Sequence, residues 1–200
     1  MIQHDRTICD ATAIRYFALV GQFDLLTDTV GVPVLVPGAV LDLEEDLDAP
    51  SRVVSEIGGA VRYFARRSAD EDARESWTQL RNLWQREDIA VVDLDTSEED
   101  AFAEIIDGPY QLSDGSAVQL GRGESAVISI VEQRNYSAAL DDQSARRVLV
   151  ERCPESRMFT TRELLRRAVG ELQLLTSPEA EIVYEDMRAH RYRGPPTLWE

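Results

Sequence analysis

The sequence predicts an α/β protein: a three-layer α/β/α domain around a central parallel sheet. Three observations carry this. Short apolar runs alternate along the 200 residues with longer segments of helical period. Acidic residues close two of the short runs, as expected where parallel strands end at a shared crevice. No internal repeat or low-complexity linker interrupts the alternation, so residues 1–200 read as a single domain.

In order, residues 7–10 read as a first strand and 12–27 as a helix with apolar Ile14, Phe17, Ala18, Leu25 and Leu26. Val34-Leu35-Val36 is a short strand, tolerant of Pro33 at its start and stopped by Pro37-Gly38. Residues 39–47 read as a very acidic helix. Another begins near Ser51, its cap, with Val53, Val54, Ile57, Val61 and Phe64 at helical spacing. A charged helical insertion spans about 66–90, its core 68–88 anchored by Trp77, Leu80 and Trp84. The two tryptophans, a heptad apart, suit core or partner-helix packing better than base stacking.

Residues 89–92 form the next strand. Thr96-Ser97 caps a helix over 98–106, and 108–121 is a loop. A helix over 123–134 follows, then strands near 138–140 and 148–150, a helix over 161–170, a strand over 172–175 and a last helix over 178–188. The tail from Arg191 is irregular and packs through Trp199.

Composition narrows the chemistry. The net charge is −16, with 21 acids and 9 arginines (−12) in residues 1–100 and 16 acids and 12 arginines (−4) in 101–200. A general nucleic-acid binder needs basic side chains for phosphate contacts, so any nucleic-acid role must rest on local arginines, metal ions or a basic partner. All 21 basic residues are arginine. The lack of lysine excludes a P-loop, a kinase and a Schiff-base enzyme. Two cysteines, Cys9 and Cys153, are expected to stay reduced, and two histidines, His4 and His190, without a cysteine cluster argue against a zinc site. No run approaches the ~18 apolar residues of a membrane span. The first six residues show no signal-peptide pattern, and the expected compartment is the cytoplasm.

The candidate chemistry lies in carboxylates. Asp10 closes the first strand and Asp141-Asp142 a later one, while Glu124 opens the helix after Gly121-Arg122-Gly123. Each also has a plain structural role: Asp10 as a helix cap, Glu124 as a partner of the helix dipole, Asp141-Asp142 as a turn. Gathered in one crevice, such acids repel unless protonated or bridged by a cation, and hard oxygen ligands select Mg²⁺ or Mn²⁺. The Gly121 to Ala126 stretch also matches a loose dinucleotide pattern. We reject it, because no convincing strand precedes it and Glu124 would face a pyrophosphate.

These motifs resemble the PIN-domain family, in the branch of VapC-type toxins and close PIN-like relatives. Ile8-Cys9-Asp10-Ala11-Thr12 resembles its opening strand, and Val32 to Val40 the strand before its second acid. Leu120 to Val127 resembles its "GE-x-A" helix start, Leu140 to Arg147 its "DD-x-x-A-R" signature, and Thr161 with Leu164-Leu165 a later helix start. The resemblance spans about residues 7–175, with 66–90 as an insertion. It departs at the second acid: Leu43 stands at the expected position, with Glu44 favoured and Asp42 or Glu56 as alternatives.

The resemblance implies an endoribonuclease, the toxin of a toxin–antitoxin pair, that hydrolyses RNA phosphodiesters with metal-activated water. Asp10, Glu124, Asp141, Asp142 and Glu44 would hold Mg²⁺ or Mn²⁺. Thr12 would orient a ligand carboxylate, although its hydroxyl could instead bond the local backbone. Arg146 would touch RNA or pair with an acid. The expected partners are RNA and an antitoxin or other protein; a homodimer is left open and no membrane is expected. Two alternatives remain: a catalytically silent PIN-like module that binds a protein, and a metal-dependent hydrolase of a small phosphorylated substrate.

Overall fold

A computed structural model describes residues 6–44, 47, 55–67 and 69–200. Five parallel strands form its sheet: β1 (Thr7–Cys9), β2 (Val34–Pro37), β3 (Ile89–Val92), β6 (Ser137–Ala139) and β7 (Met158–Phe159), in spatial order β3-β2-β1-β6-β7. Between β3 and β6 a two-stranded antiparallel hairpin, β4 (Tyr110–Gln111) and β5 (Ala117–Val118), occupies part of the expected loop. The helices are α1 (Ala11–Leu19), α2 (Phe23–Val30), α3 (Glu56–Ala65), α4 (Glu71–Arg81), α5 (Thr96–Ile106), α6 (Arg122–Arg134), α7 (Gln143–Arg152), α8 (Thr161–Gly170) and α9 (Ser177–Ala189).

The three-layer α/β/α architecture follows from the pleat, which sends successive side chains to opposite faces. Ile8, Leu35 and Ala138 point to one face and join Ile105 of α5, Val127 of α6 and Val148 of α7. Cys9, Val34, Val36 and Ala139 point to the other and join Phe17 of α1, Leu26 of α2, Leu164 of α8 and Tyr184 of α9. Central β1 pairs Ile8 with Leu35 on one side and Cys9 with Ala139 on the other. The chain thus builds outward from β1 in one direction, then returns to build in the other.

Several elements differ from the sequence expectation. The single helix over 12–27 is two, α1 and α2, separated at Gly21, whose φ of +67° no helix interior accepts. The described residues of 39–47 form turns and irregular chain, not a helix, with Val40 and Leu41 fully buried in the core. Residues 51–54 lie outside the described set, and the α3 cap is Ser55, whose hydroxyl accepts from the Gly58 N–H at 3.0 Å. The Val148-Leu149-Val150 run belongs to α7: Ala145, Val148 and Leu149 are buried together at helical spacing. Residues 172–175 are turns, and the strand lies earlier, at β7. Asp95, not Thr96-Ser97, caps α5, in a capping box with Glu98.

In the insertion, Leu80 is fully buried and Trp77 packs on the main core. The Trp84 indole N–H donates to the Asp42 carbonyl at 3.0 Å, fastening the turn after β2. Trp199 is 46% exposed; the tail packs instead through Tyr192 and Leu198. Among the described residues no helix is long and apolar enough to cross a membrane.

A candidate acidic site at the strand switch

Strand order reverses between β1 and β6, and the C-terminal ends of strands at such a switch are where open α/β sheets form their ligand crevice. The registered pair Cys9–Ala139 fixes what enters it. Asp10 follows β1 directly, its N–H donating to the Ala139 carbonyl at 3.0 Å, and Asp141 lies two residues beyond β6.

Asp10 is 3% exposed. Its Oδ1 accepts from the backbone N–H groups of Thr12 and Ala13, both at 3.0 Å, and its Oδ2 from that of Asp141 at 3.3 Å. It is therefore the α1 cap, with its second oxygen turned to the backbone of Asp141. Asp141 accepts from the Thr161 N–H and hydroxyl and, at Oδ1, from the Tyr192 hydroxyl at 2.6 Å. A carboxylate offers about four in-plane acceptor positions. Asp10 accepts from three donors and keeps one position, whereas Asp141 accepts at both oxygens from the Thr161 N–H, at Oδ2 from the Thr161 hydroxyl and at Oδ1 from Tyr192.

Glu124, in the first turn of α6, belongs to the same electrostatic neighbourhood: its charge acts on both Asp10 and Glu56. Its Oε2 is buried and has no hydrogen-bond partner. Glu56, the first residue of α3, reaches across to accept from the Gly123 N–H at 2.9 Å. Only glycine permits this at 123, because a Cβ there would lie 2.5 Å from Glu56 Oε1 and 3.0 Å from Val40 Cγ2.

The other expected residues fall outside this cluster. Glu44 is exposed in the turn after β2, its N–H bonded to Asp42 Oδ1 at 2.9 Å. Of the open alternatives it is Glu56, not Glu44 or Asp42, that meets Glu124. Asp142 is exposed and caps α7, accepting from the Ala145 N–H at 2.9 Å. Thr12 acts through its backbone N–H on Asp10. Arg146, half-buried in the first turn of α7, lowers the Asp141 carboxyl electrostatically. Arg15 does the same for Glu56, and Thr161 and Tyr192 hold Asp141. Thr161 had a signal, as a helix start after a short strand. Arg15 and Tyr192 had none.

Burial above all, then the Asp141 charge and more weakly Glu124, push the Asp10 carboxyl up to about 8, against the pull of its backbone N–H donors. Burial also raises Asp141, opposed by Thr161, Tyr192 and Arg146. Glu56 is raised by burial and by Glu124. An acid raised on folding binds its proton more tightly in the native state, so stability falls as pH climbs from the unfolded value toward the folded one. In chelated buffer the melting temperature should therefore fall between about pH 4 and about pH 8, and the slope should flatten in Asp10→Asn. A flat wild-type profile from calorimetry would contradict this electrostatic picture.

The donor set is all hard oxygen, and it includes an unpartnered buried Glu124 Oε2 and an unused acceptor position on Asp10. In kind it fits Mg²⁺ or Mn²⁺. Among the described residues, however, no three His, Cys, Asp or Glu side chains are gathered as a ready coordination shell. Compared with family models, curated proteins and solved structures, the chain gives no match.

Proposed function

We propose that the protein is a PIN-like, Mg²⁺- or Mn²⁺-dependent endoribonuclease, the toxin of a toxin–antitoxin pair acting in the cytoplasm. The observation that carries this is the buried Asp10 and half-buried Asp141 side by side at the strand switch, where a parallel sheet places its ligand. A structural role asks for one acid there; two mutually repelling carboxylates ask for a cation or a proton. The resemblance of the same segments to PIN-domain motifs supplies the reaction.

Asp10, Asp141, Glu124 and Glu56 would hold the ion. Bound there, it would supply an acidified water and positive charge for the phosphodiester. The chain's residues do the rest. Backbone N–H groups fix Asp10, Thr161 fixes Asp141, and Gly123 lets Glu56 approach the start of α6. Arg146 and Arg15 flank the acids with guanidinium groups suited to phosphate oxygens. A protein of this net charge needs such local cations to admit RNA.

Among the described residues no three carboxylates are ready-gathered, which favours a second reading, a PIN-like module that binds a protein and cleaves nothing. Calorimetric titration with Mn²⁺ separates the two. The first requires binding by the wild type that weakens more than about tenfold in Asp10→Asn plus Asp141→Asn, since both ligand charges are then lost. It also requires Mn²⁺-dependent cleavage of labelled RNA. A folded wild type that binds no Mn²⁺ sinks the nuclease and leaves the binding module.

A further inference from the structure

The segment after α9 contributes to the acid crevice. It returns from the C-terminal end of α9 and delivers the Tyr192 hydroxyl to Asp141 Oδ1 at 2.6 Å, across 51 positions of sequence. Thr161 holds Asp141 from one element only, with its N–H shared between both oxygens and its hydroxyl on Oδ2. Rotation about the last carboxylate torsion is soft. A second donor from another direction removes that freedom.

The phenol is itself held. Tyr192 is 8% exposed and meets Tyr16 of α1 edge to face at 5.1 Å and Tyr184 of α9 at 5.8 Å. Beyond it the segment is tied to the helices at several points. The Tyr184 hydroxyl donates to the Pro195 carbonyl at 2.9 Å, Arg188 to that of Pro196 at 2.6 Å and Arg166 to that of Leu198 at 2.8 Å. Leu198 is fully buried. Packing on α1, α8 and α9 thus aims one hydroxyl at one carboxylate.

We infer that Tyr192 is a positioning residue of the acid site, its hydroxyl orienting the Asp141 carboxylate toward a divalent cation. This rests on the cation reading proposed above. Groups that hydrogen-bond a ligating carboxylate orient it and tune its basicity, and losing one costs about 10- to 100-fold in metal affinity. The competing role is tail anchoring, which the Tyr184 hydroxyl also performs without touching Asp141.

The test is Mn²⁺ titration calorimetry on the wild type, Tyr192→Phe and Tyr184→Phe, with a thermal melt of each in chelated buffer. Phenylalanine keeps the ring packing, so both variants retain the fold. The expected result is an affinity about tenfold weaker in Tyr192→Phe and unchanged in Tyr184→Phe. Unchanged affinity in Tyr192→Phe overturns the inference alone. An equal loss in both variants also overturns it, as general loosening of the tail. A wild type that binds no Mn²⁺ overturns the cation reading and this inference with it.

Discussion

On the nuclease proposal, Glu56→Gln is expected to lower Mn²⁺-dependent RNA cleavage by about 100- to 1,000-fold, whereas Glu44→Gln leaves it unchanged. The magnitude is about 2.7–4 kcal/mol of lost transition-state stabilisation, the scale of one charge in a metal-assisted site. Glutamine keeps an Oε1 acceptor for the Gly123 N–H, so the packing of α3 on α6 survives the change. The same substitution should raise the melting temperature in chelated buffer. Glu56 is exposed as a residue, but its carboxylate is partly desolvated and stands near the Glu124 charge, and the neutral amide removes that repulsion. Activity and stability thus move in opposite directions, an outcome that misfolding cannot imitate. Single-turnover cleavage of labelled RNA, paired with melts of both variants, measures this. Equal cleavage by Glu56→Gln and the wild type would remove Glu56 from the site.

Arg134→Ala should cost about 3 kcal/mol of stability, a fall of roughly 6–12 °C in melting temperature for a domain of this size. Glu98 is fully buried, and its two oxygens take the Arg134 Nε and Nη2 at 2.5 and 2.7 Å. One of them also closes the α5 capping box on the Asp95 N–H at 2.8 Å. Without Arg134 this carboxylate loses its buried counter-charge while keeping a single backbone donor. Arg134 itself is 30% exposed, so water can enter, which places the cost at the lower end for broken buried pairs. The Arg134 N–H to the Asp93 carbonyl is lost as well. Replacing both partners, as Glu98→Met with Arg134→Met, should recover most of the loss, because the damage lies in the stranded charge. Denaturant melts of the single and double variants test this; an additive double loss would refute it.

How far the sequence reaches can be seen residue by residue. Asp10, Glu124 and Asp141 were legible because strand ends and helix starts are local signals, and the parallel topology carries them to one crevice. Asp142 looked equivalent to Asp141, but successive residues leave a strand end in different directions. One therefore enters the crevice while the other turns to cap α7. Glu56 against Glu44 was undecidable locally, since the choice depends on how the turn after β2 is spaced from α3. Val148-Leu149-Val150 misled because a short apolar run fits either period. Met158–Phe159 is too short to carry any pattern, and it becomes a strand only through β6. Tyr192 had no signal at all, since its role exists only through a contact 51 positions away.

The strand order also bears on biogenesis. β1, β2 and β3 can pair once residue 92 has been made, yet the other edge of β1 must wait for Ser137–Ala139. At translation speeds of about 5–20 residues per second, Asp10 precedes Asp141 by on the order of ten seconds. Tyr192 comes later still. A nascent chain therefore carries a half-sheet with its central edge open and the crevice unbuilt. The Tyr192–Asp141 contact accordingly forms in no fragment that stops before residue 192.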